Sequence, residues 1–425
     1  MRVLLLSSNT EKITMIPLPL GPAFIAAAAR RAGHLVELID LMAEDDRQTI
    51  KEAISSFRPD VIGISVRNID DQNMERPRFL LDKVRRVVDD CRGVLDVPII
   101  LGGAGYSIFP ESALNYLGAD MGIQGEGEEA FLILLDRLHR GASLHGTPSL
   151  YLRGRGLQAR RKFVMNLDDV PSPDIPFPRG SASGEEIWMP VQTSRGCPMN
   201  CSYCSTPAIE GHAIRKRSPA VALEEISRHV EAGIRHFHFV DNVFNLPLSH
   251  AKELCKGLID RDLKISWRCI LYPGRVDEEL ADLMARAGCV EASLGFESGC
   301  ERILRAMNKK FGLQAVRQAS AALKRSGVWH MGFLLLGGPG ETRESVVQSL
   351  SFADSLKLDA LKVTIGVRIY PFTALAKTAR EDGVISARDD LLFPTFYIVE
   401  EIRDWLKEIA GTWVADRPTW MIEAG

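Results

Sequence analysis

The chain reads as an α/β protein built from two successive parallel-sheet domains, and three observations predict this. From Arg2 to about Arg140, short apolar runs alternate with amphipathic helical stretches. The segment Val170-Pro171-Ser172-Pro173-Asp174-Ile175-Pro176-Phe177-Pro178 then interrupts the pattern with four prolines. From about Ile187 a second alternating series begins and runs to about residue 375.

In the first series, Val3 to Leu6, Leu35 to Ile39, Val61 to Val66, Val97 to Leu101 and Met121 to Ile123 read as buried strands. The helical stretches between them call for a parallel sheet covered on both faces, with a ligand beyond the carboxyl ends of the strands. Gly102 and Gly103, in the turn after the fourth strand, would let a bulky ligand approach the backbone. Ser7-Ser8-Asn9-Thr10 stands after the first strand in place of GxGxxG, which disfavours a dinucleotide. This domain is assigned to residues 1–140 and a linker to 141–186, since clustered prolines preclude helix and favour an extended strap.

The second series places strands at Met189 to Thr193, His236 to Val240, Ile265 to Ile270, Glu291 to Phe296, Trp329 to Leu336 and Leu361 to Ile369. The intervening helices carry clear signals. Ser218 can cap, Pro219 suits the first helical position, and Val221, Ile226 and Val230 line one side. Six such units over 187–375 predict a partial (βα)6 TIM-type barrel with its chemistry on the loops after the strands. Residues 376–425 form a small C-terminal segment with helical character from Val399 to Ile409 and tryptophans at 405, 413 and 420.

Composition narrows the function. The 425 residues are 46% hydrophobic and 25% charged, with a net charge of -3 and no long basic block, so nucleic acid is not expected as a partner. Arg215-Lys216-Arg217 reads as a solvated barrel edge. The apolar run from Met15 to Ala29 is broken by Pro17, Pro19, Gly21 and Pro22 and is too short to span a bilayer; a cytoplasmic protein is expected.

The most specific chemistry lies in Ser194-Arg195-Gly196-Cys197-Pro198-Met199-Asn200-Cys201-Ser202-Tyr203-Cys204, after the first barrel strand. The CxxxCxxC spacing offers three thiolates to a four-iron cluster and leaves one iron without a protein ligand. Full ligation by four cysteines makes an electron carrier; an open iron can bind and reduce a small molecule. Structural zinc asks for four ligands, usually in two separated pairs, and no second pair follows. Cys91, Cys255, Cys269, Cys289 and Cys300 stand singly among apolar neighbours and read as small buried hydrophobes. Other polar groups fall at strand ends facing the loop: Asp241 and Asn242, Arg268, Glu297 and Ser298, Gly337 and Gly338, Arg368 and Tyr370.

With these residues in view, the chain resembles the cobalamin-binding radical S-adenosylmethionine enzymes. The cysteine loop, Phe239-Val240-Asp241-Asn242-Val243-Phe244-Asn245, Ser293-Leu294-Gly295-Phe296-Glu297-Ser298-Gly299 and Leu336-Gly337-Gly338-Pro339-Gly340-Glu341-Thr342 carry the likeness, as do Pro59-Asp60-Val61-Ile62-Gly63-Ile64-Ser65 and Gly125-Glu126-Gly127-Glu128. The resemblance implies an N-terminal Rossmann-like (flavodoxin-like) cobalamin domain packed over the open face of the barrel. It implies that Cys197, Cys201 and Cys204 hold a [4Fe-4S] cluster and that S-adenosylmethionine takes the open iron. Tyr203 would meet the adenine, Glu297 and Ser298 the ribose or methionyl amine, and Gly337 and Gly338 would bring backbone to the cofactor. Asp241 and Arg268 are further candidates around it, while Gly102, Gly103 and Arg67 are candidates around cobalamin, Arg67 below the cobalt. No DxHxxG motif is present, so no histidine is assigned to the metal.

The reaction this implies is methylation of an unactivated carbon, using a 5′-deoxyadenosyl radical and methylcobalamin. A small-molecule, peptide or lipid substrate and an external electron donor such as flavodoxin or ferredoxin would be its partners. One alternative keeps both cofactors for cyclisation or rearrangement, and Arg368-Ile369-Tyr370-Pro371 and Leu391 to Tyr397 resemble lipid-related members. A second alternative is a non-catalytic cobalamin sensor.

Overall fold

A computed structural model describes residues 1–11, 18–42, 46–175 and 187–422. Met15 to Pro17 of the apolar run, and Pro176 and Pro178 of the strap, lie outside the described residues. The chain divides into two compact units. The first comprises Met1–Asp71, Arg78–Ile187 and Ala208–Gly211, the second Gln72–Pro77, Trp188–Pro207 and the chain from His212 onward.

The first unit holds a seven-stranded sheet of β1 (Arg2–Ser7), β2 (Leu35–Asp40), β3 (Val61–Ser65), β4 (Ile99–Gly102), β5 (Met121–Ile123), β6 (Leu150–Leu152) and β7 (Gly156–Leu157). Its order is β2-β1-β3-β4-β5-β6-β7, parallel from β2 through β5 and antiparallel at β6 and β7. This is flavodoxin-like order, with the chain reversing its direction of travel across the sheet between β1 and β3. Apolar β1 and β3 lie against helices Leu20–Arg31 and Glu128–His139, and Val3, Leu5, Val61, Phe131 and Leu134 share one core. The stretch read as linker contains β6 and β7, which extend this sheet. With three and two residues, they are too short to show strand periodicity in sequence.

The second unit's strands are β8 (Met189–Val191), β9 (Ser194–Arg195), β10 (Arg215–Lys216), β11 (His236–Phe239), β12 (Ser266–Leu271), β13 (Cys289–Glu297), β14 (Trp329–Leu336), β15 (Ala360–Ile365), β16 (Val367–Arg368), β17 (Phe396–Tyr397) and β18 (Trp420–Ile422). The main sheet runs β8-β11-β12-β13-β14-β15-β18, every neighbouring pair parallel. It carries the six expected strands in sequence order, plus β18 from the C-terminal segment. β9 pairs with β10, and β16 with β17, as separate antiparallel ribbons.

Alternation along the strands sorts their two faces. Phe239, Phe244 and Trp267 pack with ring centroids 5.0–5.1 Å apart, Phe296 meets Phe352, and His330 bonds Ser320 on helix Leu313–Arg325. These residues mark the helix-covered face. All five isolated cysteines are buried; burial pushes the Cys91 thiol up to about 12 and raises Cys255 and Cys269 further. The basic triplet corrects the sequence reading. Arg215 and Arg217 are buried and Lys216 exposed, because β10 turns the two arginines inward, where Arg217 pairs with buried Glu225 at 2.6 Å.

Candidate active site

In the second unit, the cysteine loop leaves the sheet at β8 and is fixed from several sides. Buried Asp241 accepts from the amides of Thr193 (2.7 Å) and Ser194 (2.8 Å) and from the Thr193 hydroxyl. The chain turns through Gly196 at φ +89, a conformation glycine adopts without steric cost. Within the loop, the Ser202 amide donates to Met307 O (3.0 Å), the Leu375 amide donates to Ser202 O (2.8 Å), and the Asn308 side chain donates to Asn200 O (2.6 Å). The Cys204 thiol donates to Thr206 Oγ1 at 3.3 Å. The backbone around the cysteines is thus tethered to segments far along the chain.

Cys197, Cys201 and Cys204 are all half-buried and free of disulfides. Burial raises the Cys201 thiol; the Lys309 ammonium opposes it, while Cys204, Glu297 and Cys197 add to the rise. The three thiols stand on one short loop whose backbone is tethered at Ser194, Asn200 and Ser202. No three His, Cys, Asp or Glu side chains among the described residues converge tightly enough for a single metal ion. A four-iron cluster takes one sulfur per iron and does not require that convergence. The donor set of three thiols beside a cation fits such a cluster.

Around the loop, Lys309 Nζ lies 3.1 Å from Glu297, 3.5 Å from Gly295 O and 5.4 Å from the Tyr203 ring centroid. Burial disfavours the ammonium, but Glu297, Tyr203 and Cys201 outweigh it and hold Lys309 well above its ordinary value. Burial likewise lifts the Tyr203 phenol, whose ring packs on Cys300, Ile303 and Met307. Glu297 sits at φ +64 beside an irregularity in the β13–β14 ladder, so its carboxylate is aimed by unusual backbone. Sequence reasoning missed Lys309. Its only signal lay in Met307-Asn308-Lys309-Lys310-Phe311, where a lysine stands between a buried Met307 and a half-buried Phe311.

The other candidates in this unit are placed differently. Ser298 is fully buried, and its hydroxyl bonds the Cys300 amide (3.1 Å) and Ser349 (3.0 Å). Gly337, at φ +93, donates its amide to buried Glu341, and a Cβ there would press on Ile398 at 3.0 Å. Gly338 follows in the same turn. Arg268 stacks on Trp188 at 4.4 Å and approaches Glu291 at 3.7 Å, midway along β12. Arg368 is buried and donates to the carbonyls of Ile369, Leu391 and Leu392, so it staples its own corner together.

In the first unit, the carboxyl ends of β1 and β3 meet, and the Ser8 hydroxyl donates to Ser65 O at 2.8 Å. Glu11 binds Lys83 (2.6 Å) and Arg78 (2.9 Å), and these bonds, Lys83 first, hold its carboxyl below the ordinary range. Arg78 also reaches Asp71 at 2.9 Å, bracing the loop after β3. A Cβ on Gly103, at φ +96, would stand 2.5 Å from Val66 O, and one on Gly105 3.0 Å from Arg67 O. Those glycines seat the loop carrying Arg67, whereas Gly102 has open space where a side chain would be. Arg67 lines a depression with Ser8, Asn9, Thr10 and Leu80. Its side chain is reachable by solvent yet crowded enough that desolvation lowers its guanidinium, and among the described residues it has no ion-pair or hydrogen-bond partner. Arg67 thus places a cation with no partner among the described residues at the switch point, where sheets of this order take their ligands.

Comparisons with known proteins agree with this geometry. Residues 191–353 match the family model of the Radical SAM superfamily, and residues 8–135 that of the B12 binding domain. The chain belongs to the cobalamin-binding radical S-adenosylmethionine family. It is 29% identical over 399 residues to an uncharacterized methyltransferase of Pyrococcus horikoshii, covering 92% of this chain and 84% of that one. It is 25% identical over 437 residues to the tryptophan 2-C-methyltransferase of Streptomyces laurentii, covering 86% and 72%. The structure of the radical S-adenosylmethionine methyltransferase TsrM from Kitasatospora setae aligns over 100% of this chain and 91% of its own, with TM-score 0.87 at 22% identity, a likeness of fold. No described helix is long and apolar enough to cross a membrane.

Proposed function

We propose that this protein is a cobalamin-dependent radical S-adenosylmethionine enzyme that methylates an unactivated carbon of a small molecule, peptide or lipid. The observation that supports the reading is the CxxxCxxC spacing of Cys197, Cys201 and Cys204 on a tethered loop after the first strand of a parallel sheet. When bound, the cluster supplies a low-potential electron, S-adenosylmethionine an adenosyl and a methyl group, and cobalamin a methyl carrier; that chemistry belongs to the cofactors.

The chain's own residues position and shield. Cys197, Cys201 and Cys204 would hold three irons of the cluster and leave the fourth for S-adenosylmethionine. The Tyr203 ring offers a flat apolar wall to an adenine, and Glu297, aimed by its left-handed backbone, accepts from ribose hydroxyls or the methionyl amine. Ser298 serves that carboxylate by fixing the turn after it. Asp241 fixes the loop entrance. The Gly337-Gly338 turn is shaped by Glu341, and Arg268 presents its charge at mid-strand. In the first unit, Arg67 would lie on the cobalt side of the corrin, Gly102 would let backbone approach it, and Gly103 would seat the loop that carries Arg67.

Each turnover draws on an external donor of the flavodoxin or ferredoxin type. A reducing, cytoplasmic setting keeps the thiols available for iron. The test is anaerobic reconstitution with iron, sulfide, cobalamin and S-adenosylmethionine carrying a labelled methyl group, followed by product analysis on candidate substrates. Label in a carbon-bound methyl of the product supports the proposal. Adenosyl cleavage with an unmethylated product favours cyclisation or rearrangement, and no cleavage with substrate present favours the sensor.

A further inference from the structure

We infer that Lys309 is a positioning residue for the electron: its buried charge raises the reduction potential of the cluster held by Cys197, Cys201 and Cys204, and Glu297 tempers that effect. The inference rests on the cluster reading above.

Lysine normally keeps its ammonium in water by extending its stem. Neighbouring Lys310 does so, yet the Lys309 side chain is only 6% exposed. Its charge is held between Glu297 at 3.1 Å and Gly295 O at 3.5 Å, over the rings of Tyr203 at 5.4 Å and Phe311 at 5.9 Å. Burying an ion carries a penalty of several kcal/mol unless it is paired and hydrogen-bonded. Glu297 supplies the pairing from a left-handed conformation, which itself costs about 1–3 kcal/mol. The buried structural pair Arg217–Glu225 shows that burial alone does not require such strain, since neither of its residues takes the left-handed backbone of Glu297.

The charge stands beside the cysteine loop. Tyr203, whose ring lies 5.4 Å below Lys309 Nζ, directly precedes Cys204, and the residues just before Lys309 clasp the loop through Met307 O to the Ser202 amide (3.0 Å) and the Asn308 side chain to Asn200 O (2.6 Å). Reduction of the cluster adds one electron from the external donor, breaks no bond and leaves Lys309 protonated. A fixed cation beside the loop that would hold the cluster, in a low-dielectric setting, favours the more negative, reduced state. Removing that cation makes reduction harder. Removing the Glu297 carboxylate leaves the cation uncompensated and makes reduction easier, so two substitutions in one ion pair have opposite effects.

The test is an anaerobic potentiometric titration of the full-length reconstituted protein, followed by electron paramagnetic resonance, with iron and sulfide counted in every sample. Lys309→Gln is expected to lower the reduction equilibrium roughly tenfold or more, 59 mV for one electron. Glu297→Gln is expected to raise the potential, and Lys309→Arg to stay near the parent protein. Where Lys309→Gln does not retain iron, the upward shift in Glu297→Gln decides. Equal potentials in variants that hold the full cluster overturn the inference and leave the cluster reading standing. A parent protein that binds no four-iron cluster overturns both.

Discussion

The carboxylate of Asp241, just beyond β11, accepts from the amide of Ser194 at 2.8 Å, at the point where the chain leaves β8 for the cysteine loop. The second strand of the barrel thereby fixes the entrance to a loop carried by the first. With the Thr193 amide and hydroxyl on the same carboxylate, one buried anion satisfies three donors.

Asp241→Ala strands those donors, at about 1–3 kcal/mol for each buried unsatisfied group. A lower melting temperature and less iron per chain after reconstitution are expected, with Asp241→Asn intermediate. Thermal unfolding and iron analysis on the same samples check both.

The Arg217–Glu225 pair is buried on both sides, at 3% and 1% exposure. Arg217→Met leaves a carboxylate buried without its partner and is expected to destabilise by about 3–5 kcal/mol. Replacing both residues with apolar ones of similar volume should recover most of that loss. Denaturant titration of the single and double variants measures it.

These two pairs show what the sequence can and cannot disclose. Strand positions and the cysteine loop were legible because they depend on local signals: apolar runs of strand length and ligands a few residues apart. Arg217 was misread because its orientation, one residue past a two-residue strand, depends on the register of β10 with β9, which composition does not encode. Lys309 escaped notice for a related reason, since its partner Glu297 lies twelve residues away across a helix. Ser298 and Arg368 looked like groups aimed at a ligand, yet the fold uses their polar atoms for its own turns. β6 and β7 were too short to register at all.

Glu341 predicts a pH dependence. Burial raises its carboxyl from 4.5 to about 7, against bonds from Gly337 and Ser345. The folded state therefore binds the proton more tightly than the unfolded one. Its contribution is fully present below about 4.5 and is lost as pH rises through about 7. Glu341→Gln keeps a neutral side chain and should flatten stability across that window. Unfolding free energies of the two proteins at a series of pH values provide the check.

Arg67 separates binding from folding. Because its guanidinium is solvent-reachable and unpartnered among the described residues, Arg67→Leu should change stability by no more than about 0.5 kcal/mol. Loss of a charge-assisted contact to the corrinoid should weaken cobalamin retention roughly tenfold. Equilibrium dialysis with hydroxocobalamin, paired with thermal unfolding, distinguishes the two effects.

The central claim is best tested by iron and sulfide analysis with electron paramagnetic resonance on anaerobically reconstituted, dithionite-reduced protein, recorded with and without S-adenosylmethionine. The account predicts four irons and four sulfides per chain, lost on replacing Cys197, Cys201 and Cys204. It also predicts a cluster signal that changes when the sulfonium compound reaches the open iron. Bound zinc in place of iron, or a cluster signal indifferent to S-adenosylmethionine, would contradict it.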